Sequence, residues 1–321
     1  MAEVDAALRA LAVRALAEWN LDGAHLEPIG ISENASFRVD GPGKPCVLRI
    51  HRPGYHTLAE LESEQVWTAA LLEAGLDVPV PVRTRDGRGY ATLPFEGGER
   101  HIGLLEWVDG ELLGRIMVRQ PSTFPEHFHA IGRIAAAIHN QSSTWTVPYG
   151  FQRHRFDVEG FVGDGAFWGP FWEIPPLDAK QRDVLGKARQ AIADELSRLE
   201  DPAKRFSLIH ADLHPHNVVV GKHGLHLIDF DDSGFGWHHY ELAVVLYQYR
   251  ELDPFGDMQA ALLDGYRELR AFTDAEVAKL RLFFLIRTLI HLGWRADRPE
   301  HGTDLSEDIE YAVREAREWM G

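Results

Sequence analysis

His210-Ala211-Asp212-Leu213-His214-Pro215-His216-Asn217, followed by Leu227-Ile228-Asp229-Phe230-Asp231, is the stretch whose reading decides the rest. It sets an Asp five residues before an Asn, then places a second Asp behind the apolar runs 218–220 and 225–228. That order carries the catalytic and metal loops of phosphoryl transfer from ATP. One Asp takes or orients the proton of an attacking hydroxyl, and an Asn with another Asp holds Mg²⁺ on the nucleotide. Asp212 is therefore the expected catalytic group, with Asn217 and Asp229 as metal ligands. Their amide and carboxylate oxygens match the hard-oxygen demand of Mg²⁺. His210 is expected to hold the loop in shape.

A chain of 321 residues has room for two lobes with ample core. Hydrophobic residues make up 45% and charged residues 26%, as in an ordinary globular protein. No apolar run reaches the length of a membrane span, and the segment 1–19 carries acids among its apolar residues, unlike a signal peptide. Cys46 is the only cysteine, so no internal disulfide forms, and a reducing cytoplasm fits. The net charge of −16 argues against nucleic acid and anionic membranes as partners. It suits a cationic substrate, although solubility is the plainer explanation.

Residues 25–109 read as strands interrupted by one helix. Leu58 to Ala74 is that helix, closed by Gly75. Residues 78–84 and 90–94 read as a hairpin about Asp86-Gly87, and 102–108 as the last strand. From Thr123 onward helices dominate, with capping boxes at Thr123-x-x-Glu126 and Thr273-x-x-Glu276. The expected architecture is α+β: a protein-kinase-like two-lobed fold, with a sheet-rich nucleotide-binding lobe over 1–108 and a helical lobe over 109–321. The latter would carry both loops and the acceptor site.

With Gly236-Trp237 and Leu242-Ala243 further on, the stretch 210–217 and 227–232 resembles the aminoglycoside phosphotransferase and choline kinase superfamily. The likeness in layout runs from about residue 20 to 300, but its specific motifs fall within roughly 205–245. It implies an ATP- and Mg²⁺-dependent enzyme that phosphorylates a hydroxyl of a small molecule. Asp212 would be the base, and Asn217 and Asp229 the metal ligands. Glu241 stands where the family usually has Asp, and the longer acid is expected to support the loop backbone. Ala211 replaces the Arg that many protein kinases use to answer a phosphorylated loop, and no Ala-Pro-Glu segment follows Asp229. Both departures argue against switching by loop phosphorylation.

The remaining nucleotide contacts are read from position. Residues 30–39 lie where a glycine-rich loop would, with Ser32, Asn34 and Ser36 as possible donors to phosphate. No lysine occurs between Lys44 and Lys180, so Arg49 on the strand 46–50 takes the place of the phosphate-binding lysine. Its expected partner is Glu64, with Glu60 and Glu62 as rivals. Backbone groups at Glu106 and Val108 would meet adenine. Asp231 and Asp232 are read as solvated loop acids, with Asp231 assisting a second metal as the alternative. Phe167, Trp168, Phe171, Trp172, Trp237 and Tyr240 are read as packing residues, with a cage for a quaternary ammonium group as the alternative. Three other functions compete: a stress-response-type serine/threonine kinase with a protein acceptor, a metallohydrolase using His210, Asp212, His214 and His216, and a pseudokinase-like binding module, against which intact Asp212, Asn217 and Asp229 count.

Overall fold

The computed structural model describes residues 6–31, 34–199, 202–299 and 302–321. Along the chain run α1 (Ala6–Ala15), β1 (His25–Ile31), β2 (Ala35–Asp40), β3 (Cys46–Ile50), α2 (Leu58–Glu73), β4 (Tyr90–Phe95), β5 (Gly98–Glu106) and β6 (Glu111–Leu112). Then come α3 (Leu113–Arg119), α4 (Phe124–Thr144), β7 (Arg155–Phe156), α5 (Val158–Val162), α6 (Ala179–Ser197), α7 (Pro202–Arg205) and β8 (Phe206–Ile209). The last are β9 (Val218–Gly221), β10 (Gly224–Leu227), β11 (Gly234–Trp237), α8 (His238–Tyr247), α9 (Phe255–Arg267), α10 (Asp274–Ala296) and α11 (Ser306–Met320). The expected α+β class is what the chain adopts. Among the described residues, no helix is long and apolar enough to cross a membrane.

The chain forms two compact units. The first comprises 1–113, 147–152 and 216–231, and the second 114–146, 153–215 and 232–321. This differs from the expected division at 108/109. The short β6 pairs with β9, and β9 with β10, so the hairpin that follows Asn217 belongs with the first unit.

In the first unit an antiparallel sheet runs in the order β1-β2-β3-β5-β4. Alternation sets its faces: Ala35, Phe37 and Val39 point inward with Leu48, Ile50 and Leu104, and α1 adds Leu11, Ala12 and Ala15 to that core. Thr57 and Glu60 form a capping box at the start of α2, and Gly75 past its end takes a φ of 86°. Asp86-Gly87 does turn the chain, with Gly87 at φ 88°, but 78–84 is not a strand of the sheet. Pro79 and Pro81 remove amide donors there, leaving an isolated bridge between Pro81 and Leu105. The actual partner of β4 is β5.

In the second unit α4, α6, α8, α9, α10 and α11 build a helical core that includes Phe128, Leu185, Leu242, Tyr266, Phe283 and Ala312. A small sheet, β7-β11-β8, lies within it. The Thr273 box caps α10 as expected. Thr123 does not cap α4: its hydroxyl donates to the Gln120 carbonyl. Gly132 of α4 and Gly265 of α9 bring these two helices into close reciprocal contact, since a Cβ on either would collide with the other helix's backbone, at Leu262 and His129 respectively. Gly132→Val should therefore destabilise the protein by about 1–3 kcal/mol through overpacking. A thermal melt checks this, and an unchanged midpoint would show that the two helices separate freely.

Candidate active site

Two clusters hold the residues singled out from the sequence, one in each unit. In the first, β9 and β10 pair in the register Val218↔Leu227, and Ile228 N donates to Asn217 O at 3.0 Å just beyond. The hairpin's open end thus sets Asn217 beside the segment that leads to Asp229. Asp229 has a φ of 65°, a left-handed conformation costly for a residue with a Cβ. Its side chain is 45% exposed, and its Oδ1 accepts a hydrogen bond from Arg49 Nη2 at 2.9 Å.

Arg49 sits on β3 opposite Ser36, and its side chain is largely buried. Its second acid is Asp231, 3.8 Å away. Burial alone would lower the Arg49 pKa, but Asp229, Asp231 and Glu64 together raise it, so the guanidinium is firmly charged. Of the three acids proposed as its partner, Glu60 is used in the capping box, Glu62 is exposed, and Glu64 is buried and acts on Arg49 through its charge. The direct ion pairs go instead to Asp229 and Asp231, across a sequence separation that hides them from local spacing.

Asp231 is the residue sequence reasoning misjudged. It is buried, not solvated. Asn34 Nδ2 donates to its Oδ2 at 3.1 Å, and His51 Nδ1 lies 3.5 Å from its Oδ1. Burial would raise its pKa, yet the neighbouring His51 ring and the Arg49 charge hold it far below the ordinary carboxylate range. Asn34 also accepts from Arg52 N at 3.1 Å, so its amide ties the start of β2 to Asp231 instead of standing free for phosphate. Ser32 lies outside the described residues, and Ser36 is half-buried on β2. At the end of β5, Glu106 N donates to Val80 O at 2.9 Å and its carboxylate accepts from Lys44 at 2.9 Å. The amide of Glu106 is thus already committed, and Val108 follows beyond the strand.

In the second unit, β8 delivers the chain to His210, Ala211 and Asp212. Ala211 is fully buried at φ 65°. What holds this turn is Glu241 of α8, whose Oε2 accepts from His210 N at 2.6 Å and whose Oε1 accepts from Ala211 N at 3.2 Å. Amides bonded to a carboxylate are each worth about 1.5–3 kcal/mol, enough to offset the left-handed backbone. His210 Nδ1 accepts from Asp212 N at 3.4 Å, the shape-holding role expected of it. Asp212 Oδ1 faces Arg287 Nη2 at 3.2 Å and Oδ2 faces His214 Nε2 at 3.3 Å. Burial pushes the Asp212 pKa up, but His214, Arg287 and His210 outweigh it and keep the carboxylate ionised. Burial likewise works against a charged His214, and Asp212 overcomes it, raising that pKa.

The metallohydrolase alternative fails on this geometry. His210 and His214 are engaged with Asp212, and among the described residues no group of three or more His, Cys, Asp or Glu side chains converges as a ligand set. Nor do the aromatics form an open cage. Phe171 and Tyr240 are fully buried, Trp168, Trp172 and Trp237 nearly so, and the cation over Trp168 is the chain's own Arg287.

Behind Glu241, His139 and His238 stack at 3.9 Å with both rings buried, and burial depresses both pKa values. His139 Nδ1 meets Tyr266 Oη at 2.8 Å, and His238 Nε2 meets Ser207 Oγ at 2.8 Å. Next to them His239 stacks on Phe283, and burial lowers its pKa from 6.5 to about 3. The unfolded chain thus takes up protons below about pH 6.5 that the folded chain refuses until near pH 3. Stability from this source is full above 6.5 and is lost as the pH falls. His239→Phe should flatten that loss by up to about 1.4 kcal/mol per pH unit between pH 4 and 6. Denaturant unfolding across that range measures it, and an unchanged slope would mean that His239 is protonated in the fold.

With this geometry in hand, comparison with known proteins places the chain in a family and among solved and curated relatives. The model of the phosphotransferase enzyme family matches residues 25–272. The solved structure of a microcompartment-associated aminopropanol kinase is 31% identical, with a TM-score of 0.82 over 96% of this chain and 94% of that one. The amicoumacin kinase of Bacillus subtilis is 23% identical over 71% of this chain and 65% of its own length. A homoserine kinase of Rhodopseudomonas palustris is 28% identical over 66% of this chain and 60% of its own. The chain spans less than two thirds of those last two relatives.

Proposed function

We propose a role for each of these side chains from the premise that the chain belongs to the phosphotransferase enzyme family. It is an ATP-dependent kinase that acts on a hydroxyl of a small molecule. The observation that carries the assignment of roles is Asp212, an ionised carboxylate with Arg287 beside one oxygen and His214 beside the other, five residues before Asn217. An acid so strongly stabilised as an anion is a weak proton acceptor but a well-oriented hydrogen-bond acceptor. In this reading it aims the acceptor hydroxyl. The acceptor oxygen bonds to the γ-phosphorus as the bond to the bridging oxygen breaks, its electron pair leaves on ADP, and the hydroxyl proton is drawn toward Asp212.

Asn217 and Asp229 would hold a divalent cation, Mg²⁺ by preference, since both offer hard oxygens at one end of a hairpin. Such an ion neutralises charge on the β- and γ-phosphates. Arg49 would meet the phosphates beside it, a task suited to a permanently charged, two-pronged group. For the adenine, the commitment of the Glu106 amide narrows the proposed contact to carbonyl oxygens and the Val108 backbone. A cytoplasmic setting is consistent with a single, buried cysteine.

As acceptor we favour a small amino alcohol. Aminopropanol and homoserine both carry an amine and a hydroxyl, and a net charge of −16 is compatible with an amine-bearing substrate. ADP release from Mg–ATP, measured against a panel of amino alcohols, sugars and hydroxy amino acids, tests the choice. Asp212→Asn should keep the fold and ATP binding while the transfer rate falls by about 10²- to 10⁴-fold. A variant that retained most of its rate would make Asp212 a structural loop residue.

A further inference from the structure

We infer that Arg287 of α10 is a positioning residue for phosphoryl transfer, fixing the orientation of Asp212 from outside the catalytic loop. The inference rests on the reading of Asp212 given above. Arg287 is not part of the sequence motif and lies beyond residues 25–272, where the family match ends. Its side chain is 12% exposed, and its guanidinium is held on several sides. Nη2 reaches Asp212 Oδ1 at 3.2 Å, and Nη1 donates to Tyr240 Oη at 3.1 Å. The rings of Trp168 and Tyr247 lie 5.2 and 6.0 Å from it. Tyr240 and Trp168 are themselves buried, so the cation has little freedom to swing away.

A buried guanidinium is a poor choice where only packing is needed, because an apolar side chain fills the same space without the cost of desolvation. Its presence is accounted for by what it does to the carboxylate. With His214 on one oxygen and Arg287 on the other, rotation of Asp212 about its terminal torsion would break the Arg287 ion pair and the His214 contact at once. Three further groups near Asp212 act differently. His210 receives the Asp212 backbone amide, Glu241 is used by the loop amides, and His291 of α10 is kept neutral by burial, its pKa lowered to about 3. Asp232 adds a second negative charge that favours the charged guanidinium. Arg287 is therefore the permanent cation of the pair and His214 the titratable one.

The test uses the full chain with Mg–ATP and 1-aminopropan-2-ol, and with water as the acceptor in parallel. Arg287→Gln should lower kcat by about 10- to 100-fold, the scale of a slightly misplaced reacting group, with KM for ATP unchanged. Arg287→Lys should recover part of the loss. The decisive comparison is the double variant. If Arg287 acts through Asp212, Arg287→Gln adds no further loss to Asp212→Asn. Wild-type rates in Arg287→Gln, or losses that multiply in the double variant, overturn the inference. Should Arg287→Gln fail to fold, Tyr240→Phe releases one anchor of the guanidinium and keeps the ring. Its kcat should fall and that fall should vanish in the Asp212→Asn background, and an unchanged kcat overturns the inference equally. Asp212→Asn at full rate would instead remove the reading on which this rests.

Discussion

The second unit's chemistry depends on a single buried carboxylate. Glu241 takes the amide hydrogens of His210 and Ala211, and this lets an alanine occupy a left-handed backbone that would otherwise be unfavourable. The turn at Ala211 in turn sets the direction of Asp212. A fully buried acid is tolerable only because its oxygens are satisfied by those amides. The stacked pair of His139 and His238 behind it remains neutral, since two buried imidazoles in face-to-face contact cannot both carry charge. The loop is thus held by a layer of polar groups whose ionisation states are fixed by burial.

The first unit solves a parallel problem in another way. There two acids, Asp229 and Asp231, share one arginine, and the deeper of the two also binds Asn34. Asp229 remains partly exposed while Asp231 is buried. That division suits one acid to a ligand and the other to structure: Asp231 fixes Arg49, His51 and Asn34 at the start of β2, and Asp229 keeps an accessible carboxylate on a strained backbone.

Much of this was legible in the sequence, for identifiable reasons. Asp212, Asn217 and Asp229 fall within one short segment, so their spacing alone raises the proposal that they act together. The cap at Thr57, the glycine after α2 and the turn at Asp86-Gly87 follow from local backbone preferences. What could not be read was set by contacts between distant segments. Arg287 meets Asp212 from 75 residues away, and Arg49 meets Asp229 from 180. Asp231 carries no local sign that it is buried. The segment 78–84 has the composition of a strand, but its prolines lack the donors a ladder needs. Thr123 has the spacing of a cap but turns its hydroxyl back to Gln120.

The most direct test of the account is ³¹P NMR of the protein with Mg–ATP and a mixture of amino alcohols. It should show a new phosphomonoester resonance growing in step with ADP, absent when Asp212→Asn replaces the wild type. ATP consumed only to inorganic phosphate, or a product formed at the same rate by Asp212→Asn, would contradict the claim that this loop directs phosphoryl transfer to a small-molecule hydroxyl.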